Sequence, residues 1–393
     1  MVSAAAEFDR DCPFHAVYDA GLEALVKVLY VSKALAVGAY RGKLRALAEY
    51  CDITAIVPAE WNGGPVDPVV DGEPVELAAA VLHGHNHIHV YRHASSLVAR
   101  ARPDLVHIDE EPYSAVSAQM AWHCRRRDVP CCFFAWQNLA KRIPPPFGAL
   151  RGYVFRTARG GIAGTEAAAA VLRGWGWHGP LAVIPQFGVD TTHFRPDATA
   201  RARVRERIGA GGAFVLGYAG RLVPEKGVHL LFPSIREQTA LRLLIVGDGP
   251  QRASLESAAR SAGIADRIHF AGRIDSRRIP DWLNAMDALA LPSLRTHGWM
   301  EQFGRILVEA MACGVPVIGS RTGEIPAVIG DAGLLVPEGD AAALAAAVAV
   351  LAGSAQHRAL YAERGRSRVE ARFTNEHIAS ETYGFYRRLL GAA

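Results

Sequence analysis

The chain has 393 residues, half of them hydrophobic and 21% charged, with a formal net charge of +4. At roughly 100 to 200 residues per domain this length accommodates two domains or three, and two is the expectation. No apolar run approaches the roughly 18 to 20 residues of a membrane-spanning helix, and so small a net charge gives no footing for a nucleic-acid partner bound through counterion release.

In chain order, residues 1–24 come first and carry Glu7, Asp9, Arg10, Asp11, Asp19 and Glu23. That composition is wrong for the basic start and apolar centre of a secretory signal, so an N-terminal extension and a cytoplasmic location are expected. Residues 26–32 (VKVLYVS) read as a buried strand, followed by a loop through Gly38 and Gly42 and a helix over 44–50. Further strands are expected at 53–57, 87–91, 105–109, 131–136, 161–163 and 181–184. Strands alternating with helices imply a parallel sheet covered on both faces. The turn-rich stretch 185–196 then leads into a second series of strands at 214–218, 241–246, 267–270, 288–291 and 315–318. The fold class expected is therefore α/β, two Rossmann-like doubly wound parallel-sheet domains facing a central cleft where ligands bind. The division expected is 25–188, 189–372, and a C-terminal helix, 373–393, packing back on the first domain. The alanine-rich stretch 341–351 has strong helix propensity. All six cysteines lack a Cys-x-x-Cys partner and read as reduced, buried thiols.

The stretch 299–323 (WMEQFGRILVEAMACGVPVIGSRTG) concentrates chemistry. It places Glu301 ahead of a helix expected from about Phe303 to Cys313, with Glu309 inside it, Gly314 at the C-terminal end and Pro316 preventing continuation. A helix start near Gln302, Phe303 and Gly304 presents free backbone N–H groups to hydroxyls or phosphate oxygens. The two carboxylates suit different parts of one ligand, Glu301 a sugar and Glu309 a vicinal diol such as ribose. Upstream, Gly220 and Arg221 end a strand and Lys226 opens the next helix. Two cations there suit a diphosphate and would stabilise charge developing on a leaving group. Pro233 falls in that next helix and predicts a kink.

GRLVPEKG (220–227), VGDGP (246–250), the Pro292–Ser293 pair, EQFGRILVEAMACGVPVIG (301–319) and GLLVPEGD (333–340) together resemble the retaining glycosyltransferases of family 4. That resemblance covers nearly all of the second half and extends more loosely to the first through VKVLYVS, VHIDEEP and IPQFGVD. It implies the two-domain fold called GT-B and metal-independent transfer of a sugar from a nucleoside-diphosphate sugar, with retention, to an acceptor hydroxyl on a glycan, a lipid-linked molecule or a small molecule. It assigns the donor phosphates to Arg221 and Lys226, the ribose to Glu309, and the donor sugar to Glu301 with the backbone of Gln302 to Gly304. Gly38 would approach the phosphates from across the cleft. Where many relatives carry a histidine contacting the donor sugar, this chain has Gln137, which can hydrogen-bond but carries no charge. No cofactor is expected beyond the donor. The alternatives left open are a non-catalytic nucleotide-sugar-binding protein and an epimerase or phosphorylase of the same fold.

Three further features stand outside that pattern. His83, His85, His87, His89 and His93 crowd one stretch, where a strand would put His87, His89 and His93 on one face. The expectation is a cleft-edge or surface strand with no metal. His107, Asp109, Glu110 and Glu111 end a strand, as acceptor contacts or as a plain polar loop. Residues 141–159 hold Lys141, Arg142, Arg151, Arg156 and Arg159 with no acid, a composition suited either to an anionic membrane face or to an ordinary basic surface. No strand is followed by Gly-x-Gly-x-x-Gly, which argues against a dehydrogenase.

Overall fold

The computed structural model describes residues 25–391. The expected extension, residues 1–24, and the secretory-signal reading that rests on it lie outside the described residues. Seven strands build the first sheet: β1 Lys27–Val31, β2 Asp52–Pro58, β3 Val75–Ala78, β4 Leu105–Ile108, β5 Cys131–Ala135, β6 Gly160–Ala163 and β7 Leu181–Val183. Their order is β7-β6-β5-β4-β1-β2-β3, and every pairing is parallel. The second sheet contains β8 Phe214–Ala219, β9 Leu241–Val246, β10 Ile268–Gly272, β11 Ala288–Leu291, β12 Val317–Ser320 and β13 Gly333–Val336, in the order β10-β9-β8-β11-β12-β13. It too is parallel throughout. Both are doubly wound, with the order reversing beside β1 and beside β8, and ligands bind at the carboxyl ends of strands at such switch points.

Central strands such as β4 (LVHI) and β5 (CCFFA) are buried along their whole length, which is why they appear in the sequence as unbroken apolar runs. The edge strands β3 (VELA) and β13 (GLLV) are short and only half-buried, and no strand was expected at either. The strand expected at 87–91 does not form. Only Val90–Tyr91 is extended, paired antiparallel with Ala80–Val81, because positive φ at Leu82 and Gly84 turns the chain and His85 accepts from the amides of Ile88 and His89. The histidines therefore share no strand face. Pro233 produces no kink: a 3-10 turn, Val228–Leu231, ends before it, and a new helix, Phe232–Glu237, starts with the proline in its first turn, where no amide is needed.

The chain passes between the sheets twice, and the two passages lie side by side. Val189 donates to Phe373 O at 2.8 Å and accepts from Asn375 N at 3.3 Å. A Cβ on Gly188 would lie 2.5 Å from the amide of Asn375, so glycine alone lets the strands approach this closely. The C-terminal helix Asn375–Leu390 then returns to the first sheet, where Ile378, Ala379, Phe385, Tyr386 and Leu389 join a buried layer with Val28, Leu44 and Cys132. The alanine-rich segment is a helix, Ala341–Gly353, packed into the second body through Leu344, Val348 and Leu351. Among the described residues no single helix is long and apolar enough to cross a membrane. Cys51, Cys124, Cys131, Cys132 and Cys313 are buried free thiols.

Candidate functional site

β8 ends at Ala219, and Gly220 N donates back to Val246 O at 2.9 Å, which seats the following loop on the carboxyl edge of the sheet. Across from it Gly247 has φ +133°, and a Cβ there would lie 1.9 Å from Gly220 O. Two backbones therefore meet at the switch point, leaving Arg221 exposed beside them with no ion pair. Lys226 lies in a short 3-10 turn, Pro224–Lys226, closed by Gly227 in the left-handed region, and not in the first turn of a long helix as expected. Its ammonium is 2.5 Å from Glu301 Oε2 and lies 4.9 Å from the Trp299 ring centroid. Ser293 Oγ donates to the same carboxylate oxygen at 2.9 Å, and Ser320 Oγ anchors Ser293 through its carbonyl at 2.6 Å. Glu301 is thus a buried carboxylate with a charged and a neutral donor on one oxygen.

The helix that follows begins at Arg305 and ends at Ala312, later and shorter than expected, because Gly304 takes φ +78° as its N-cap. Gly304 has no side chain to cap the helix, so its first amides face outward at the point where Gln302 and Phe303 enter. Glu309 Oε1 pairs with Arg305 Nε at 2.7 Å. Burial raises the Glu309 pKa above its ordinary value, opposed by Arg305 and His193.

The first sheet supplies the facing wall. Glu111 Oε1 accepts from the amides of Trp136 at 2.8 Å and Gln137 at 3.0 Å, fixing the loop after β5. Burial pushes the Glu111 carboxyl up to about 7, a rise that those two amides oppose. The Gln137 side-chain amide donates to Leu139 O at 3.0 Å. On either side of Gln137 the wall touches the second body: Asn138 Nδ2 donates to Glu301 O at 3.0 Å, and Gln302 Nε2 donates to Trp136 O at 3.3 Å. The Trp136 and Phe303 rings lie 5.9 Å apart, and Glu324 Oε1 accepts from Ala167 N at 3.3 Å. The loop carrying Gly38 is held by Asp67 Oδ2, which accepts from the Gly38 amide at 2.8 Å. It reaches the second body through Tyr40, whose ring lies 4.4 Å beneath the Arg305 guanidinium.

The structure therefore brings Lys226, Glu301, Gln302, Phe303 and Gly304 to one wall of the cleft, with the loop holding Gln137 against them. Glu309 lies on the side of the Gly38 loop; Gly220 and Arg221 sit at the strand end. Ser293 of the Pro-Ser pair joins this cluster, as do Asn138, Trp299 and Glu324, which were not singled out and whose only sequence signal is adjacency to Gln137 and to the stretch around Glu301. The acids after β4 are engaged inside the first body: Asp109 accepts from Ser32 at 2.7 Å and Gln186 at 2.9 Å, Glu110 pairs with Lys33, and His107 Nδ1 meets Tyr386 Oη at 2.5 Å. Asp109 Oδ1, Glu111 Oε2 and His107 Nε2 are left buried without a hydrogen-bond partner. Among the described residues no group of three His, Cys, Asp or Glu side chains could hold a metal ion.

The family described as glycosyl transferases group 1 matches residues 213–354, most of the second body. The lipopolysaccharide core biosynthesis glycosyltransferase LpsE of Rhizobium meliloti is 30% identical over 270 residues, covering 65% of this chain and 75% of that protein. The chain belongs to the group 1 glycosyl transferases. A GDP-mannose-dependent alpha-(1-6)-phosphatidylinositol monomannoside mannosyltransferase from Mycolicibacterium smegmatis is 36% identical over 199 residues, 48% of this chain and 52% of that one. The match thus spans about half of that curated relative's length. Among solved structures, HepE of Anabaena in complex with UDP superposes with a TM-score of 0.76 at 21% identity, covering 92% of this chain and 100% of the other. At that identity the likeness speaks to the fold, which is GT-B.

Proposed function

We propose that this group 1 glycosyl transferase moves a sugar, with retention, from a nucleoside-diphosphate sugar to an acceptor hydroxyl. The observation that carries the reading is the Lys226–Glu301–Ser293 cluster at the carboxyl edge of the second sheet, beside the unpaired Arg221, with the loop of Gln137 closing over it. On this reading Arg221 and Lys226 hold the donor diphosphate and Glu309 the ribose. Glu301 and the backbone from Gln302 to Gly304 hold the donor sugar, with Gln137 facing it from the first body and the Gly38 loop approaching the phosphates. The anomeric carbon–phosphate oxygen bond breaks as the acceptor oxygen forms its bond on the same face. The acceptor proton passes to the departing phosphate oxygen. Charge grows on the diphosphate during that step, and Arg221 and Lys226 are placed to take it up without a metal ion.

The two bodies, 25–188 and 189–372 with the C-terminal helix returned to the first, are proposed to open and close about the paired passages at 188–189 and 373–375. Closure excludes water from the reacting bond and limits donor hydrolysis. A lipid-linked acceptor is the favoured class. The M. smegmatis relative is named for a phosphatidylinositol monomannoside and LpsE for lipopolysaccharide core synthesis. Within the basic stretch 141–159 a helix spans Phe147–Thr157, and Lys141 and Arg142 before it, Arg156 on it and Arg159 after it are exposed. These cations, with the exposed Trp122 on the neighbouring helix, suit peripheral contact with an anionic bilayer at the cytoplasmic face. The test is transfer from labelled UDP- and GDP-sugars to a lipid extract, with the anomeric configuration of the product read by NMR. Retention in the wild type and loss of transfer in Lys226→Ala and Glu301→Gln are expected; full turnover in both variants overturns the site.

A further inference from the structure

The Glu301 carbonyl oxygen is a junction between the two bodies. It accepts from Asn138 Nδ2 at 3.0 Å and from Glu324 N at 3.2 Å, which fills both of its lone pairs. Since a carbonyl can only accept, the Asn138 side chain must present its NH2 there, and its orientation is fixed by chemistry. Asn138 is buried and lies 163 residues from Glu301 in the chain, so the bond exists only while the bodies are together. The bond from Glu324 N, by contrast, lies inside the second body. It holds the Glu301 loop folded whether or not the cleft is closed, tightly enough that a Cβ on Gly323 would lie 2.1 Å from Glu301 O.

The reverse bond runs from Gln302 Nε2 to Trp136 O, so loops 136–138 and 301–302 exchange one side-chain-to-backbone bond in each direction. Behind the first loop stands Glu111, gripping the amides of Trp136 and Gln137. Behind the second stands the Glu301 carboxylate, with Lys226 and Ser293 on it. A movement of the first body is thereby transmitted to the peptide that carries the Glu301 side chain. We propose that Asn138 is a positioning residue: by clasping the Glu301 carbonyl it sets the Glu301 carboxylate, and through it Lys226, in the reacting geometry only when the cleft is closed. This rests on the glycosyltransferase reading of the same site.

A displaced reacting group of this kind costs rate more than binding, because Arg221 and Glu309 still hold the diphosphate and ribose from within the second body. The test uses the full chain with Asn138→Ala, and Asn138→Asp, which keeps the size but cannot donate when ionised. Both are expected to lower kcat at least about tenfold while the donor KM and the UDP or GDP affinity stay within about threefold. The ratio of donor hydrolysis to transfer should rise. Small-angle scattering of the Asn138→Ala/Gln302→Ala pair should show a wider molecule than the wild type. Wild-type kcat in Asn138→Asp, or a loss confined to KM, overturns the proposal, as does an unchanged scattering curve. If the wild type binds neither UDP nor GDP, the functional reading itself has failed, whatever Asn138 does.

Discussion

Lys226 faces the most direct electrostatic demand in this account. Its ammonium sits against Glu301 at 2.5 Å and over the Trp299 ring, so its position is set before any phosphate arrives. Removing one such preplaced donor from a site of developing charge typically costs about 100- to 1,000-fold in kcat. Lys226→Ala is predicted to lose that much turnover, measured by release of nucleoside diphosphate against acceptor, and to lower thermal stability as well, because Glu301 is left buried without its counter-charge. Glu309→Gln should instead raise the donor KM by roughly tenfold, the effect of losing one charge-assisted hydrogen bond worth about 1.5 kcal/mol. Glu301, Glu309, Arg221 and Lys226 are candidates from the sequence through their place in motifs that occur in one order, since each charge alone would read as an ordinary helix or surface group. Asn138 and Glu324 are not, since their partners are brought near only by the approach of two separately folded bodies.

Among the elements, sequence patterning finds the strands buried on both sides, such as β4 and β5, and also the half-buried edge strands β7 and β10. It fails at β3 and β13, which are four residues each and half-covered. It also reads alternation into 87–91, where the turn at Leu82 and Gly84 removes the strand. The start of the helix Arg305–Ala312 moves because one glycine adopts a left-handed cap, a backbone choice that residue type permits but does not announce. The loop ends of the second sheet are held by close backbone contact at Gly220 and Gly247. Gly247→Ala is predicted to destabilise the protein by about 3 kcal/mol or more, from a Cβ driven into a carbonyl plus an unfavourable φ. A urea titration reads this directly, and a midpoint equal to wild type would contradict the packing described for the strand ends.

At the scale of the whole molecule, the pH response follows from acids buried between the layers. Asp109 is pushed up to about 6 and Glu111 to about 7, both mainly by burial. A carboxyl raised above its unfolded value contributes stability that is fully present below the unfolded pKa and is lost as pH rises through the folded one. The Glu111 contribution is therefore predicted to fall by roughly 2 to 3 kcal/mol between about pH 4.5 and pH 7. Buried histidines act the other way over that range, because burial holds His89 down to about 4 and His107 well below its ordinary value. Relative to wild type, Glu111→Gln should remove the falling contribution, so the difference between the two denaturation profiles shrinks steadily as pH rises across those limits. Membrane contact belongs to this scale as well. Flotation with phosphatidylglycerol vesicles should carry the protein upward at low salt, and replacing Lys141, Arg142, Arg156 and Arg159 by glutamine should abolish it.

The central claim is that a sugar nucleotide binds the edge of the second sheet, and a thermal-shift titration with UDP-, GDP-, ADP- and TDP-sugars tests it without any acceptor. At a hundredfold excess over Kd a bound ligand stabilises the native state by about 2.7 kcal/mol, enough to raise the melting temperature visibly. One nucleotide class is predicted to produce that rise in the wild type and, at the same concentration, to lose about half of it in Glu309→Gln, where a tenfold weaker donor leaves about 1.4 kcal/mol. No rise with any of the four, or an equal rise in the variant, would contradict the donor site described here.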